Sequence, residues 1–354
     1  MNAPLRQRLA GERWHFQHGP IDCVIGADGE PAAVERALEA AWARFGGVLD
    51  ELVADLPALR ANLAQAAGHT VQVRGPIAQR MVAACRPYAE RGLFVTAMAA
   101  VAGSVAQELI AFFERPGIRR AYVNNGGDIA LHLAPGEAFD IGLVVDPNRL
   151  PQGADGQFRI DAASGVRGIA TSGWRGRSLS LGIVDSVTVL AASAAQADAA
   201  ATLIANAVVA SDPRIVRAPA NTLRDDSDLG ELLATVQVPT LPRSTVEQAL
   251  AAGAAFARHE IAAGRVRAAC LCLQGEVRML DAPGAPGADN AHAARAAPPG
   301  RGVGAWPHGS ARANCSGPEP GAAAGFHRSP SALPGPILET APPTLSCAAK
   351  LAGA

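Results

Sequence analysis

Residues 121–133 read AYVNNGGDIALHL, two short apolar runs on either side of Asn124-Asn125-Gly126-Gly127-Asp128. Asn-Gly between apolar runs is a strong hairpin signal, because both residues tolerate a positive φ. The stretch therefore predicts two antiparallel strands. A two-residue turn does not need five polar or glycine residues, however. Gly126 and Gly127 also remove side chains, so a ligand can approach the backbone and meet its amides. Asp128 is suited to holding a ribose hydroxyl, an adenine amine or a turn amide. A bare hairpin and a ligand cradle are both compatible with this stretch alone.

The pattern on either side predicts an α+β protein. PIDCVIGA (20–27) reads as a strand, and residues 29–63 as helix with a break at Gly46-Gly47. Residues 75–89 form a second helix with Pro76 near its start, and residues 94–117 an apolar helix ending at Pro116-Gly117. Strands follow in FDIGLVV (139–145), GVRGIATSG (165–173) and RSLSLGIVDSVTVLAAS (177–193). DLGELLATV (228–236) and residues 244–264 read as further helices, and RVRAACLCLQGEVRML (265–280) as a closing hairpin.

Composition changes at residue 282. Residues 282–354 contain 12 Pro and 11 Gly in 73 positions, without a collagen period. That predicts a disordered tail, either natural or a shifted reading frame in a G+C-rich gene. The domain is thus expected within residues 1–281. Net charge is −1, which argues against a dedicated nucleic-acid binder. Lys350 is the only lysine, so neither a Schiff-base nor a phosphate-loop lysine operates in the body. The six cysteines show no zinc or disulfide spacing, and Cys270 and Cys272 read as small buried residues of one strand. The N-terminus lacks the apolar run of a signal peptide, and no membrane span is expected; the reading is a cytoplasmic protein.

Two further motifs carry polar chemistry. GIATSGWRGRSLSLG (168–182) offers the hydroxyls and amides of Thr171, Ser172 and Gly173, with forked donors on Arg175 and Arg177 suited to phosphate or carboxylate. The plainer reading is a solvated loop. In SAAQADAAATLIANAV (193–208), Ser193 and Gln196 form a capping box, which starts a helix at Ser193. Asp198 and Thr202 then share one helix face. Their oxygens are hard ligands suited to magnesium, although an early-turn Asp and a back-bonded Thr need no metal. The scattered histidines read as structural.

These three motifs, in this order, resemble the ApbE superfamily, whose best-known members are FAD:protein FMN transferases, and in particular its UPF0280 branch. The likeness covers roughly residues 13–280 and also draws on QHGPID (17–22), LPALR (56–60), TAMAAVAGSVA (96–106), DSVTVLA (185–191) and ADAAAT (197–202). It implies mixed sheets packed with helices, an FAD site and a Mg2+ site. The nucleotide pocket falls on Asn125, Gly126, Gly127 and Asp128, with Thr171, Ser172 and Gly173, joined by Arg175 and Arg177. The metal falls on Asp198 and Thr202, with a backbone carbonyl from within Ala99–Gly103. A protein acceptor is implied as the second partner.

The chain departs from the transferases in two places. Ala102-Gly103 stands where they carry Lys-Gly, and SLSLGIVDS (178–186) replaces a His-x-x-Asp-Pro element. The catalytic residue is therefore left unassigned, with Asp185 and Asp198 the carboxylates at hand. Three functions fit: a flavin- or pyrophosphate-binding protein with magnesium and FMN transferase activity, a different enzyme of sulfur or cofactor metabolism on the same scaffold, or a non-enzymatic binding protein.

Overall fold

Alternation of apolar and polar residues in the strands, and an alanine-rich stretch too small-sided to hold neighbours apart, shape this molecule. The computed structural model describes residues 3–65, 71–143, 156–281 and 350–351. The expected tail lies almost wholly outside the described residues, as do the last two residues of the expected strand 139–145.

Nine antiparallel strands form one sheet. In chain order they are β1 (Leu5–Leu9), β2 (Arg13–His18), β3 (Ile21–Gly29), β4 (Ile118–Asn125), β5 (Asp128–Leu133), β8 (Gly168–Ser172), β9 (Ser186–Ala191), β12 (Ala268–Leu273) and β13 (Glu276–Asp281), and they neighbour one another in that same order. The omitted numbers belong to two hairpin-like pairs outside the sheet. These are β6 (Ala138–Leu143) with β7 (Gly156–Asp161), and β10 (Val216–Pro219) with β11 (Leu233–Gln237).

Alternation gives the sheet two unlike faces. Phe16, Cys23, Ile25, Ala121, Val123, Ala130, Ala170, Val187 and Val189 join the main core with the helices. Ile129, Leu131, Leu133 and Ile169 point the other way, into a smaller core closed by Phe139 and Ile141 of β6 and Ile160 of β7. The helices are α1 (Pro31–Phe45), α2 (Val48–Ala54), α3 (Leu56–Leu59), α4 (Pro76–Ala89), α5 (Val101–Ile110), α6 (Ala194–Ala207), α7 (Ala220–Leu223) and α8 (Arg243–Ala262). Pro31 and Pro76 occupy the first turns of α1 and α4, where a missing N–H costs nothing. A turn of 3-10 helix over Ala97–Ala100 leads into α5.

The capping expectation for α6 holds: the Ser193 side chain accepts a hydrogen bond from the Gln196 N–H. Seven alanines of α6 are buried, so backbones come very close to it. A Cβ on Gly168 of β8 would lie 2.2 Å from the Ser193 carbonyl carbon, and one on Gly103 of α5 would lie 2.3 Å from the Ala194 oxygen. Glycine is required at both positions by space. Ion pairs tie the helices laterally. Arg44 bridges Glu51 and Glu108, and the fully buried Glu260 pairs with Arg91 and Arg265.

The sequence expectations fail in several places. DLGELLATV is not helical: Gly230 has φ +56°, and Leu233–Gln237 is a strand paired with β10. The leucines at 229, 232 and 233 imitate a helical period, but two of them are exposed. The segment RSLSLGIVD (177–185) is not strand but loop, held against α6 where a Cβ on Gly182 would sit 1.9 Å from the Ala205 oxygen. Strands β1, β2, β7 and β10 and the short helix α7 were not anticipated at all. Among the described residues no helix is long and apolar enough to cross a membrane.

Replacing Gly168 by Ala should destabilise the fold by about 1–3 kcal/mol, the usual cost of forcing atoms into a packed site. A thermal melt should show a fall of roughly 3–10 °C. Gly47→Ala, where nothing lies within 4 Å of the new methyl group, is the control and should move the midpoint little. Equal midpoints for the two variants would refute the close approach at α6.

Candidate functional site

The quoted stretch is a two-residue hairpin. Asn125 pairs with Asp128, and Gly126 and Gly127 turn with φ +65° and +117°, a region open to glycine at little cost. The flanking asparagines hold this turn in place. Asn124 Oδ1 accepts from the Gly127 N–H at 2.8 Å. Asn125 is buried, and its amide works in both directions: Nδ2 donates to the Ala102 carbonyl at 3.1 Å, and Oδ1 accepts from the Asp22 N–H at 3.2 Å. The Gly126 N–H donates to the Asp22 carbonyl. Asn125 thus links β3, the turn and the start of α5, while Gly126 is exposed.

Next to this turn the fold brings together two carboxylates 70 positions apart in sequence. Asp128 points from the first residue of β5 to the helix face, and Asp198 comes from the second turn of α6. Burial pushes the Asp128 carboxyl up to about 7, opposed by the Thr171 N–H donating to its Oδ1 at 3.3 Å. Burial also pushes the Asp198 carboxyl up, and the charge of Asp128 adds to the effect. The N–H groups of Gly103, at 2.9 Å, and Ala102 pull in the opposite direction. Among the described residues neither carboxylate has an ion-pair partner. Both are half-buried, and half-buried Thr202 follows Asp198 by one helical turn.

The expected pocket residues of the 168–182 segment divide between two faces and two roles. Strand alternation puts Ala170 and Ser172 on the helix face with the carboxylates. Thr171 serves Asp128 through its main chain, but its hydroxyl lies 3.0 Å from that of Thr188 on the other face. Gly173 packs under the Asp185 carbonyl, where a Cβ would lie 2.3 Å away. Arg175 pairs with Asp185 at 3.1 Å and lies 5.0 Å over the Trp174 ring. Arg177 is exposed and reaches the turn: its Nη1 is 3.6 Å from where a Gly126 Cβ would be. Asp185 also accepts from Trp174 Nε1 and the Gln274 N–H, so all its visible bonding is structural.

The approach of Asp128 to Asp198 was not foreseen, because no spacing rule connects a turn residue to a helix residue so far along the chain. The Ala99–Gly103 segment was foreseen as a neighbour of Asp198. It meets the carboxylate through N–H groups, and the Ala102 carbonyl accepts from Asn125. A cleft of about 730 Å³ lies at the opposite end of the β4–β5 hairpin, lined by Glu30, Arg115, Arg119 and His132 among others. It holds none of the residues above. Convergence of polar groups, not volume, marks the candidate site.

The chain is similar to known proteins over most of the described residues. A family model described as AbpE bacteria matches residues 6–279. The chain belongs to this family. It is 38% identical over 165 residues to a UPF0280 protein of Methanothermobacter thermautotrophicus, covering 46% of this chain and 60% of the relative. It is 36% identical over 179 residues to a UPF0280 protein of Methanopyrus kandleri, covering 50% and 67%. The matched part is thus about three fifths to two thirds of these relatives' own length. Among solved structures, the ApbE protein of Thermotoga maritima aligns at 13% identity and a TM-score of 0.36, covering 78% of this chain and 96% of that one. The apo flavinyl transferase ApbE of Pseudomonas stutzeri aligns at 12% and 0.35, covering 79% and 96%.

The two carboxylates make stability depend on pH in a definite direction. A carboxyl whose pKa is raised in the fold favours the folded state while protonated, below about pH 4. That contribution is lost as pH rises toward the folded value of about 7. Asp128→Asn imitates the protonated form. In metal-free buffer it should melt about 2–4 °C above the parent chain at pH 8, with the gap closing near pH 4. A variant less stable than the parent at pH 8 would contradict this account of the pair.

Proposed function

We propose that this chain binds FAD, or a related ligand bearing a pyrophosphate, together with magnesium, and that it transfers FMN to a protein hydroxyl. The observation that carries the proposal is the pair Asp128 and Asp198, half-buried beside a turn without side chains and, among the described residues, without an ion-pair partner. Two carboxylates and the Thr202 hydroxyl are hard oxygen donors, the chemistry that magnesium takes. Among the described residues no three His, Cys, Asp or Glu side chains are placed to hold a metal ion together, so a cation here would need ligands from water and from the bound phosphate. The donors therefore fit a magnesium ion completed by water and phosphate oxygens. When bound, that ion would supply neutralisation of phosphate charge.

The chain's own groups supply the rest. Arg177 extends a forked donor over Gly126, where it can meet a phosphate. The glycine turn lets the ligand approach the main chain, with Asn124 and Asn125 keeping that turn rigid. In the transfer the acceptor hydroxyl oxygen bonds to the phosphorus of the FMN half. The bond to the AMP phosphate oxygen breaks, AMP leaves, and the hydroxyl proton passes to a base. Asp185 is unsuited to that role, since Trp174, Arg175 and Gln274 already bind it. Cytoplasmic location belongs to the same proposal.

FAD titrated into the full chain should bind more tightly with magnesium than without. Asp198→Ala should abolish the magnesium effect, with affinity lower by about tenfold or more. Arg177→Ala should weaken binding roughly tenfold in either condition, the loss of one charged hydrogen bond. Isothermal calorimetry reads both. A folded chain that binds no FAD in either condition would remove the proposal.

A further inference from the structure

Trp174 is the feature of the loop that the metal and phosphate chemistry leaves unexplained. It stands two residues after Ser172 and three before Arg177, inside the segment that flanks the carboxylates. Its main-chain N–H donates to the Val184 carbonyl at 3.0 Å. Its indole Nε1 donates to Asp185 Oδ1 at 3.1 Å. The Arg175 guanidinium lies 5.0 Å over the ring and pairs with the same carboxylate. Asp185 is in turn fixed by the Gln274 N–H at 2.6 Å, from the turn between β12 and β13.

This is a clamp on a ring that the fold does not bury. Trp174 is half-buried, and it is absent from the hydrophobic cores on both faces of the sheet. A tryptophan kept only for packing is covered; an exposed one is ordinarily free to rotate. Here three groups restrict an indole that retains open surface. Such rigidity lowers the entropy lost when a flat ligand stacks on it. Its backbone is also close to that of the strand carrying the ligand's other anchors. Three extended residues span at most about 10 Å, so Trp174 lies within that reach of Thr171, whose N–H holds Asp128.

We infer that Trp174 is the stacking surface for a planar heteroaromatic ring of the nucleotide, held in orientation by Asp185 and Arg175. The inference rests on the nucleotide reading of the same site and adds to it the residue that selects a ring-bearing ligand over bare pyrophosphate. Arg177 and Arg175 then have different tasks despite their nearness: the first meets phosphate, the second steadies the ring. Asp185 is a positioning residue.

The test uses the full chain and three variants, Trp174→Leu, Trp174→Phe and Asp185→Asn, with magnesium present and folding checked by thermal melts. The probes are FAD, FMN, ADP and inorganic pyrophosphate. Trp174→Leu should lose about tenfold in affinity for FAD, the scale of one aromatic stacking contact. Trp174→Phe should stay within about threefold of the parent, and pyrophosphate should bind all chains alike. FMN and ADP decide which ring is stacked, since only the one carrying it will lose affinity in Trp174→Leu. If the flavin ring is stacked, its absorption band should gain a long-wavelength shoulder that Trp174→Leu lacks and Asp185→Asn weakens. Unchanged FAD affinity in a folded Trp174→Leu chain overturns the inference and leaves the nucleotide reading standing. If the parent chain binds neither FAD nor ADP, both fall together.

Discussion

Two negative charges meet where α6 begins, and much of the surrounding structure follows from keeping them there. Asp198 can stand beside Asp128 only because α5 and β8 pass the first turn of α6 at a distance that glycine alone allows, at Gly103 and Gly168. Burial and mutual repulsion raise both carboxyls. The N–H groups of Ala102, Gly103 and Thr171 partly offset this cost. Donors of this kind orient a carboxylate without cancelling its charge. Protonation is correspondingly easier for both carboxyls than for exposed ones.

The neighbouring loop shows how similar side chains come to do different work. Arg175 and Arg177 are two positions apart and equally forked, yet one is engaged by Asp185 while the other extends over the glycine turn. The asparagines divide in the same way. Asn124 closes its own turn, and Asn125 connects that turn to β3 and α5. In both pairs the tightly bonded group helps to fix where its neighbour stands.

Local signals in the sequence were reliable where local physics governs. The hairpin at Gly126-Gly127, the capped start of α6 at Ser193 and the proline opening α4 all reflect backbone requirements met within a few residues. Residues 228–236 were misleading because leucine spacing imitates a helix while Gly230 takes a conformation no helix continues. Edge strand β1 was illegible for a different reason. Its side chains are mostly exposed, so burial imposes no alternation.

For the candidate site, the sequence by itself determined the chemical inventory: a side-chain-free turn ending in Asp128, a hydroxyl-rich loop with two arginines, and an Asp198–Thr202 pair on one helix face. Helical periodicity and turn preference are short-range, and they suffice for that much. Tertiary structure alone decided that Asp128 comes within electrostatic reach of Asp198, that Thr171 turns its hydroxyl to the opposite face, and that Asp185 is committed to Trp174 and Arg175. These outcomes depend on strand order and on how closely α5 and β8 approach α6. Both are set by packing between segments far apart in the chain, for which no local pattern of residues carries a record.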